Sequence, residues 1–141
     1  KYQKSKINNS TKIFQALRIF VNEEISELIN GLINAFNLIP VGGILAVVTF
    51  NSLEDKIVKF FFRNYSENKN YSRYIPYKDE NNRCFNLERK KPIIPSLEEL
   101  KKNPPSRSAK LRYAIKINNK CEFSELKKKF KYLTDVESLK I

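Results

Sequence analysis

The 141-residue chain has no histidine and no methionine, only two cysteines and only three glycines. Each shortage closes a class of chemistry. Without histidine there is no Ser-His or Cys-His nucleophile pair and no imidazole metal ligand. Cys84 and Cys121 have neither CxxC spacing nor a histidine partner, which predicts free thiols of a reducing, cytoplasmic compartment in preference to metal ligands or a disulfide. Gly31, Gly42 and Gly43 cannot form a G-x-G-x-x-G loop. With no methionine and Lys1 in first place, the natural start of the polypeptide is expected upstream. No apolar run approaches the roughly 18 residues that span a bilayer, and no secretory signal is visible. Neither a membrane nor a metal is therefore expected as a partner.

What the chain does have is a core and a strong positive charge. It is 41% hydrophobic and 12% aromatic, enough for one folded domain. Lys and Arg number 27 against 15 Asp and Glu, a net charge of +12. Residues 1–50 hold five basic and three acidic side chains, leaving 22 and 12 for residues 51–141. Such an imbalance favours a polyanionic partner, nucleic acid before membrane, because no long basic amphipathic helix presents a wide apolar face. The alternative is an ordinary lysine-rich surface.

The chain is organised around residues 40–59. Pro40-Val41-Gly42-Gly43 is a turn, Ile44-Leu45-Ala46-Val47-Val48-Thr49-Phe50 a buried strand, and Ser52-x-x-Asp55 a box capping an amphipathic helix. This is a βα half-unit of an α/β sheet, with the strand expected to be covered on both faces. Ligands of such sheets sit beyond the carboxyl ends of the strands, here at residues 51–55. Before it, Phe14, Leu17, Val21, Ile25, Leu28, Leu32 and Phe36 recur at helical steps, predicting one helix over 11–38 with Ser10 or Thr11 as its cap.

After it, a helix over 52–63 buries Leu53, Ile57, Phe60 and Phe61. Tyr65, Tyr71, Tyr74 and Tyr77 then stand among Lys69, Arg73 and Lys78, an arrangement suited to stacking on unpaired bases or simply to covering a long loop. A strand is expected near 90–94, and a helix over 96–102 opened by a second box at Ser96 and stopped by Asn103-Pro104-Pro105. Over 108–117, Leu111, Tyr113, Ile115 and Ile117 on one face alternate with Lys110, Arg112 and Lys116 on the other, a strand by period two. Phe123, Leu126, Phe130 and Leu133 predict a last, basic helix over 123–133. The domain plan is thus an α/β unit over 11–117 followed by a basic helical tail over 118–141.

Three groups of residues are candidates for chemistry. Asn51 immediately follows the strand at the ligand edge, and Ser52 beside it is also explained by capping. Arg107, Lys110 and Arg112 form a cationic group suited to phosphate contacts, with a solvated strand face as the alternative. Asn103-Pro104-Pro105-Ser106 resembles the Asn-Pro-Pro-aromatic loop of amino-group methyltransferases, but Ser106 replaces the aromatic, and helix termination explains the tetrad.

Taken in series, Phe14-Gln15-Ala16-Leu17-Arg18-Ile19, Asn22-Glu23-Glu24, Gly42-Gly43, Leu45-Ala46-Val47, the run from Phe50-Asn51-Ser52-Leu53-Glu54-Asp55 through Lys59, and Asn103-Pro104 with Arg107-Ser108-Ala109-Lys110-Leu111-Arg112 resemble the C-terminal part of the bacterial 16S rRNA cytosine-N4 methyltransferase family (MraW/RsmH type), over residues 6–116. The resemblance implies a class I, Rossmann-like fold dependent on S-adenosylmethionine, acting on the N4 amino group of a cytosine in small-subunit ribosomal RNA. It makes 44–50 the fifth strand of the sheet and 108–117 the last. It also puts the glycine loop and the other cofactor contacts in the family's N-terminal half, so a fragment of this extent is expected to be inactive alone. Two motifs depart from the family: His-Pro-Ala-Thr is replaced by Asn8-Asn9-Ser10-Thr11, and Phe-His-Ser-Leu-Glu-Asp has Asn51 for its histidine. Asparagine keeps a donor and an acceptor but cannot gain a proton near neutral pH. The competing hypothesis is a non-catalytic basic RNA-binding protein built on an α/β core.

Overall fold

The computed structural model describes residues 9–66 and 83–139. Within them five helices pack around one three-stranded sheet: α1 (Asn9–Val21), α2 (Glu24–Leu38), β1 (Ile44–Thr49), α3 (Ser52–Asn64), β2 (Phe85–Asn86), α4 (Leu97–Lys102), β3 (Lys110–Lys116) and α5 (Ser124–Glu137). The spatial order is β1-β3-β2, and both outer strands run antiparallel to β3. Hence β1 and β2 are parallel to each other, with β3 reversed between them.

The helix expected over 11–38 is two helices. Glu23 adopts φ +50°, a left-handed conformation that a non-glycine residue enters only at a cost, and it re-aims the chain. Beyond the break Ile25, Ile29, Leu32 and Phe36 are buried, whereas Phe14, Leu17 and Val21 of the same apolar rhythm are exposed on α1. Arg18 spans the break to Glu24 at 2.7 Å. Ser10 and Thr11 lie inside α1 and do not precede it.

The turn into β1 is as the Pro/Gly run requires. Gly42 has φ +85°, open to glycine at little cost, and a Cβ on Gly43 would stand 2.9 Å from the Pro40 carbonyl oxygen. β1 then pairs with β3 from Ile44 opposite Ile115 to Thr49 opposite Lys110. Its two faces differ: Leu45 and Thr49 are buried, but Ile44 and Val48 are exposed. Among the described residues only one face of β1 is covered, contrary to the expectation for an inner strand.

The third strand is also displaced. Residues 90–94 are not a strand; Ile93 makes a single antiparallel bridge to Leu111, because Pro92 and Pro95 withhold the N–H groups a ladder needs. The edge is filled instead by Phe85–Asn86, where Cys84 and Phe85 donate to the Tyr65 carbonyl and Ile117 donates to that of Cys84. A two-residue strand carries no period for a sequence pattern to reveal.

The sidedness of β3 is inverted. Its alternation is real, but Arg112, Ala114 and Lys116 face the helices while Leu111, Tyr113 and Ile115 are half-exposed. Lys116 is 2% exposed; its Nζ donates to the Phe36 and Ile39 carbonyls, both at 2.8 Å, and lies 4.3 Å over the Phe36 ring. It thereby closes the C-terminal end of α2, whose last carbonyls have no helical partner.

Aromatic rings fill the space under the sheet. Phe36, Phe61, Phe85 and Phe123 contact one another edge-on or stacked at 5.1–5.5 Å between centroids. Tyr65 is buried among them and its hydroxyl accepts the Leu126 N–H at 3.1 Å, so it covers no loop and stacks on no base. Tyr71, Tyr74 and Tyr77, with Lys69, Arg73 and Lys78, lie outside the described residues, as does Asn8. Leu126 and Phe130 seat α5 on this core. At the far end of α5, Glu137 turns inward and accepts from the N–H groups of Ile25 and Ser26, each at 2.8 Å, capping α2 from a distance of more than a hundred residues along the chain. The two cysteines, expected as free thiols, are joined: Cys84 and Cys121 form a disulfide with Cα atoms 5.9 Å apart. The pairing of β2 with β3 lays Cys84 against the segment that leaves β3, through Ile117 and Lys120, which spacing along the chain could not show.

Candidate functional site

The C-terminal end of β1 meets the N-terminus of α3 and the start of β3, and most candidate residues gather there. Asn51 has an extended backbone and is the N-cap of α3. Its Oδ1 accepts from the N–H groups of Leu53 and Glu54 at 2.9 and 2.8 Å. Glu54 answers with Oε2, accepting from the N–H of Phe50 at 3.0 Å, while its Oε1 accepts from Asn51 Nδ2. The box is therefore Asn51–Glu54, one residue earlier than the Ser52–Asp55 pair expected. Both patterns were present in the sequence, and asparagine ranks at least level with serine as a cap. Ser52 is the first helical residue and is exposed.

Asp55, released from capping, does something else. Its Oδ1 accepts from Arg112 Nε at 2.8 Å and its Oδ2 from Lys110 Nζ at 3.0 Å. Arg112 also donates through Nη1 to the Lys90 carbonyl at 3.1 Å. Burial pushes the Asp55 carboxyl up, but the hydrogen bonds from Arg112 and Lys110 and their positive charge outweigh it and hold the group below its ordinary value. The three side chains tie α3 to β3 directly behind the rim.

The expected cationic group thus divides. Arg112 is buried, with 9% of its side chain exposed, and faces inward. Lys110, with 38% exposed, stands half in solvent. Arg107 is exposed in a 3-10 turn over Pro104–Ser108 that carries the chain from α4 into β3. In that turn Ser106 is buried and donates to the Asn103 carbonyl at 2.7 Å, and the Asn103 amide donates to Glu99 at 3.2 Å. Ser96 caps α4 by accepting the Glu99 N–H, so the second box has its first half, with the Glu99 carboxylate turned to Asn103. Asn-Pro-Pro-Ser is accordingly the stop of one helix and the lead into a strand.

This rim can orient a polar ligand and attract an anion. The carboxylates of Glu54 and Asp55 are both committed, and no histidine exists to shuttle a proton. It offers no cradle for a nucleotide-like cofactor: Gly42 and Gly43 lie at the opposite, N-terminal end of β1, where they serve the turn, and Gly31 is inside α2. The described residues place no glycine at this rim. They also contain no helix long and apolar enough to cross a membrane, and no group of three or more acidic or cysteine side chains placed to hold a metal.

Comparison with known proteins gives a consistent result. The family model described as the MraW methylase family matches residues 1–117. A ribosomal RNA small subunit methyltransferase H of Sinorhizobium fredii is 45% identical over 113 residues, 80% of this chain and 33% of that protein. Those of Bartonella henselae and Borreliella afzelii are 43% and 47% identical, over 86% and 82% of this chain and 35% and 34% of theirs. The chain spans about a third of the length of the curated relatives it matches.

Proposed function

Because the chain belongs to the MraW methylase family, we propose that it is the C-terminal portion of an S-adenosylmethionine-dependent methyltransferase that acts on the N4 amino group of a cytosine in 16S ribosomal RNA, in the cytoplasm. The match over residues 1–117 carries the proposal. The geometry of the sheet supports it. Parallel β1 and β2 with a reversed β3 between them suit the antiparallel end of a doubly wound, Rossmann-like sheet. The exposed Ile44 and Val48 on β1 and Ile13, Phe14, Leu17 and Val21 on α1 are apolar surface of the kind that a larger fold covers.

In this proposal the cofactor is held by residues outside the chain, and the chain supplies part of the RNA surface. Lys110 and Arg107 meet phosphates at the rim. Arg112 acts through Asp55, fixing β3 against α3. Asn51 and Ser52 shape the edge past β1, and Asn51, bound on both sides of its amide, contributes position and not a proton. Rate enhancement then comes from orienting the amino group more than from a base, after the target base is turned out of its stack.

The test is methyl incorporation into small ribosomal subunits lacking the modification, by the protein in its encoded length, with the product mapped by mass spectrometry of nucleosides. N4-methylcytosine is the expected product. Its absence, together with retained RNA binding, would instead favour the non-catalytic RNA-binding protein. Titration calorimetry of S-adenosylmethionine into the 141-residue chain should give no binding isotherm; saturable binding would refute the placement of the cofactor site.

A further inference from the structure

Helix α5 lies beyond the residues matched by the family model, and against it runs a cleft that the rim does not use. The cleft, about 500 Å³ and open to solvent, lies between α2 and α5 and is lined by Ser26, Asn30, Lys127, Lys128, Lys131 and Thr134 above the buried Ile29. The three lysines are exposed and make no ion pair among the described residues. No carboxylate lines the cleft. Of the nearby acids, Glu137 is buried and committed to the α2 N-terminus and to the Ser26 hydroxyl, Glu24 is held by Arg18, and Glu27 and Asp135 lie outside the lining. Lys129 belongs to the other flank, 4.9 Å over the Phe60 ring.

Unshielded lysines at positions 127 and 131 repel across one helical turn and weaken α5. Stability alone does not explain why three of them converge on one cleft. An anion between them does, and the Asn30 amide in the lining bonds phosphate and sugar oxygens as well, whereas the Ser26 and Thr134 hydroxyls already donate to Glu137 and to the Lys131 carbonyl. The cleft is a trough and not an enclosed pocket, a shape that suits a passing polymer backbone. A membrane surface fits less well, because residues 127, 131 and 134 lie at helical spacing on a flank apart from the exposed Tyr132 and Val136, which of the three lysines only Lys128 shares.

We propose that the α2–α5 cleft binds the sugar-phosphate backbone of RNA, a holding site apart from the β1 rim that contributes affinity without reading sequence. It rests on ribosomal RNA being the substrate.

The experiment compares the protein in its encoded length with the triple variant Lys127→Gln, Lys128→Gln, Lys131→Gln and with a charge-matched control, Lys12→Gln, Lys59→Gln, Lys120→Gln. Circular-dichroism melting verifies that each folds. The logarithm of the affinity for a mixed-sequence RNA hairpin is measured against the logarithm of salt concentration. Three lost phosphate contacts lower the slope by about 2–3, at roughly 0.7–0.9 per contact. The control should change it by much less. KM for small ribosomal subunits should rise several-fold with kcat unchanged. An unchanged slope, an equal loss in the control, or a loss confined to binding of phosphatidylglycerol vesicles would overturn the proposal. If the unaltered protein transfers no methyl group to rRNA, the proposed activity fails, and the hairpin slopes still decide the cleft.

Discussion

Replacing Asp55 by asparagine isolates the linkage behind the rim. The substitution keeps the shape and one acceptor but removes the negative charge between Arg112 and Lys110. Arg112, with 9% of its side chain exposed, keeps only the Lys90 carbonyl and the new amide oxygen as partners. Breaking a buried ion pair at one end costs about 3–5 kcal/mol. Lys110, 38% exposed, rehydrates and adds within about 0–1 kcal/mol. The retained acceptor favours the lower end, a loss of about 3 kcal/mol, large against the roughly 5–15 kcal/mol of a typical domain. At about 3 °C per kcal/mol for a chain of this size, Tm falls by about 9 °C.

The pH dependence gives an independent check. The carboxyl of Asp55 is held below its unfolded value, so its stabilisation is complete above that unfolded value, about pH 4, and is lost as pH falls through the lower, folded value. Urea denaturation followed by circular dichroism should therefore show a gap between the wild type and Asp55→Asn that is full at neutral pH and narrows in acid. A double-mutant cycle with Arg112→Met should return most of the loss as coupling energy. A loss under about 1 kcal/mol at neutral pH, or a gap that does not narrow in acid, would refute the assignment of Asp55 as the counterion of a buried arginine.

Three further outcomes are expected. Asn51→Ala should destabilise by about 1 kcal/mol through loss of the cap, while Ser52→Ala stays within about 0.5 kcal/mol; chemical denaturation of both variants distinguishes the Asn51 cap from a Ser52 cap, which would reverse the order. Lys116→Met leaves the Phe36 and Ile39 carbonyls without their donor and should cost about 2 kcal/mol, seen as a lower denaturation midpoint with no change at an exposed control such as Lys120→Met. The Cys84–Cys121 bond closes a 37-residue separation, for which the chain-entropy relation gives about 4 kcal/mol; dithiothreitol should lower Tm of the wild type but not of Cys121→Ser, and equal sensitivity in both would show that the bond is not formed in solution.

The family was legible from motif blocks in series, and the kinds of element because they rest on local rules. The Pro/Gly turn before β1, the apolar run of β1 itself and the helical rhythm of α2, α3 and α5 each follow from backbone sterics and one-dimensional period. Corrections fall where two local signals compete or where no period exists. Overlapping boxes at residues 51–55 placed the cap one residue late. A continuous 3–4 rhythm concealed the break at Glu23, and a two-residue strand at Phe85–Asn86 left nothing to count.

What the sequence by itself determined is that residues 110–116 alternate and that residues 14–36 keep an apolar stripe. Which side of β3 faces inward, and how much of that stripe is covered, only the tertiary structure decided. Burying Arg112 and Lys116 is unfavourable in isolation and becomes acceptable once Asp55 arrives from α3 and the carbonyls of Phe36 and Ile39 arrive from the end of α2. Those partners lie 57 to 80 residues away along the chain, and the energy that reverses the hydrophobic rule does not exist until the chain has folded.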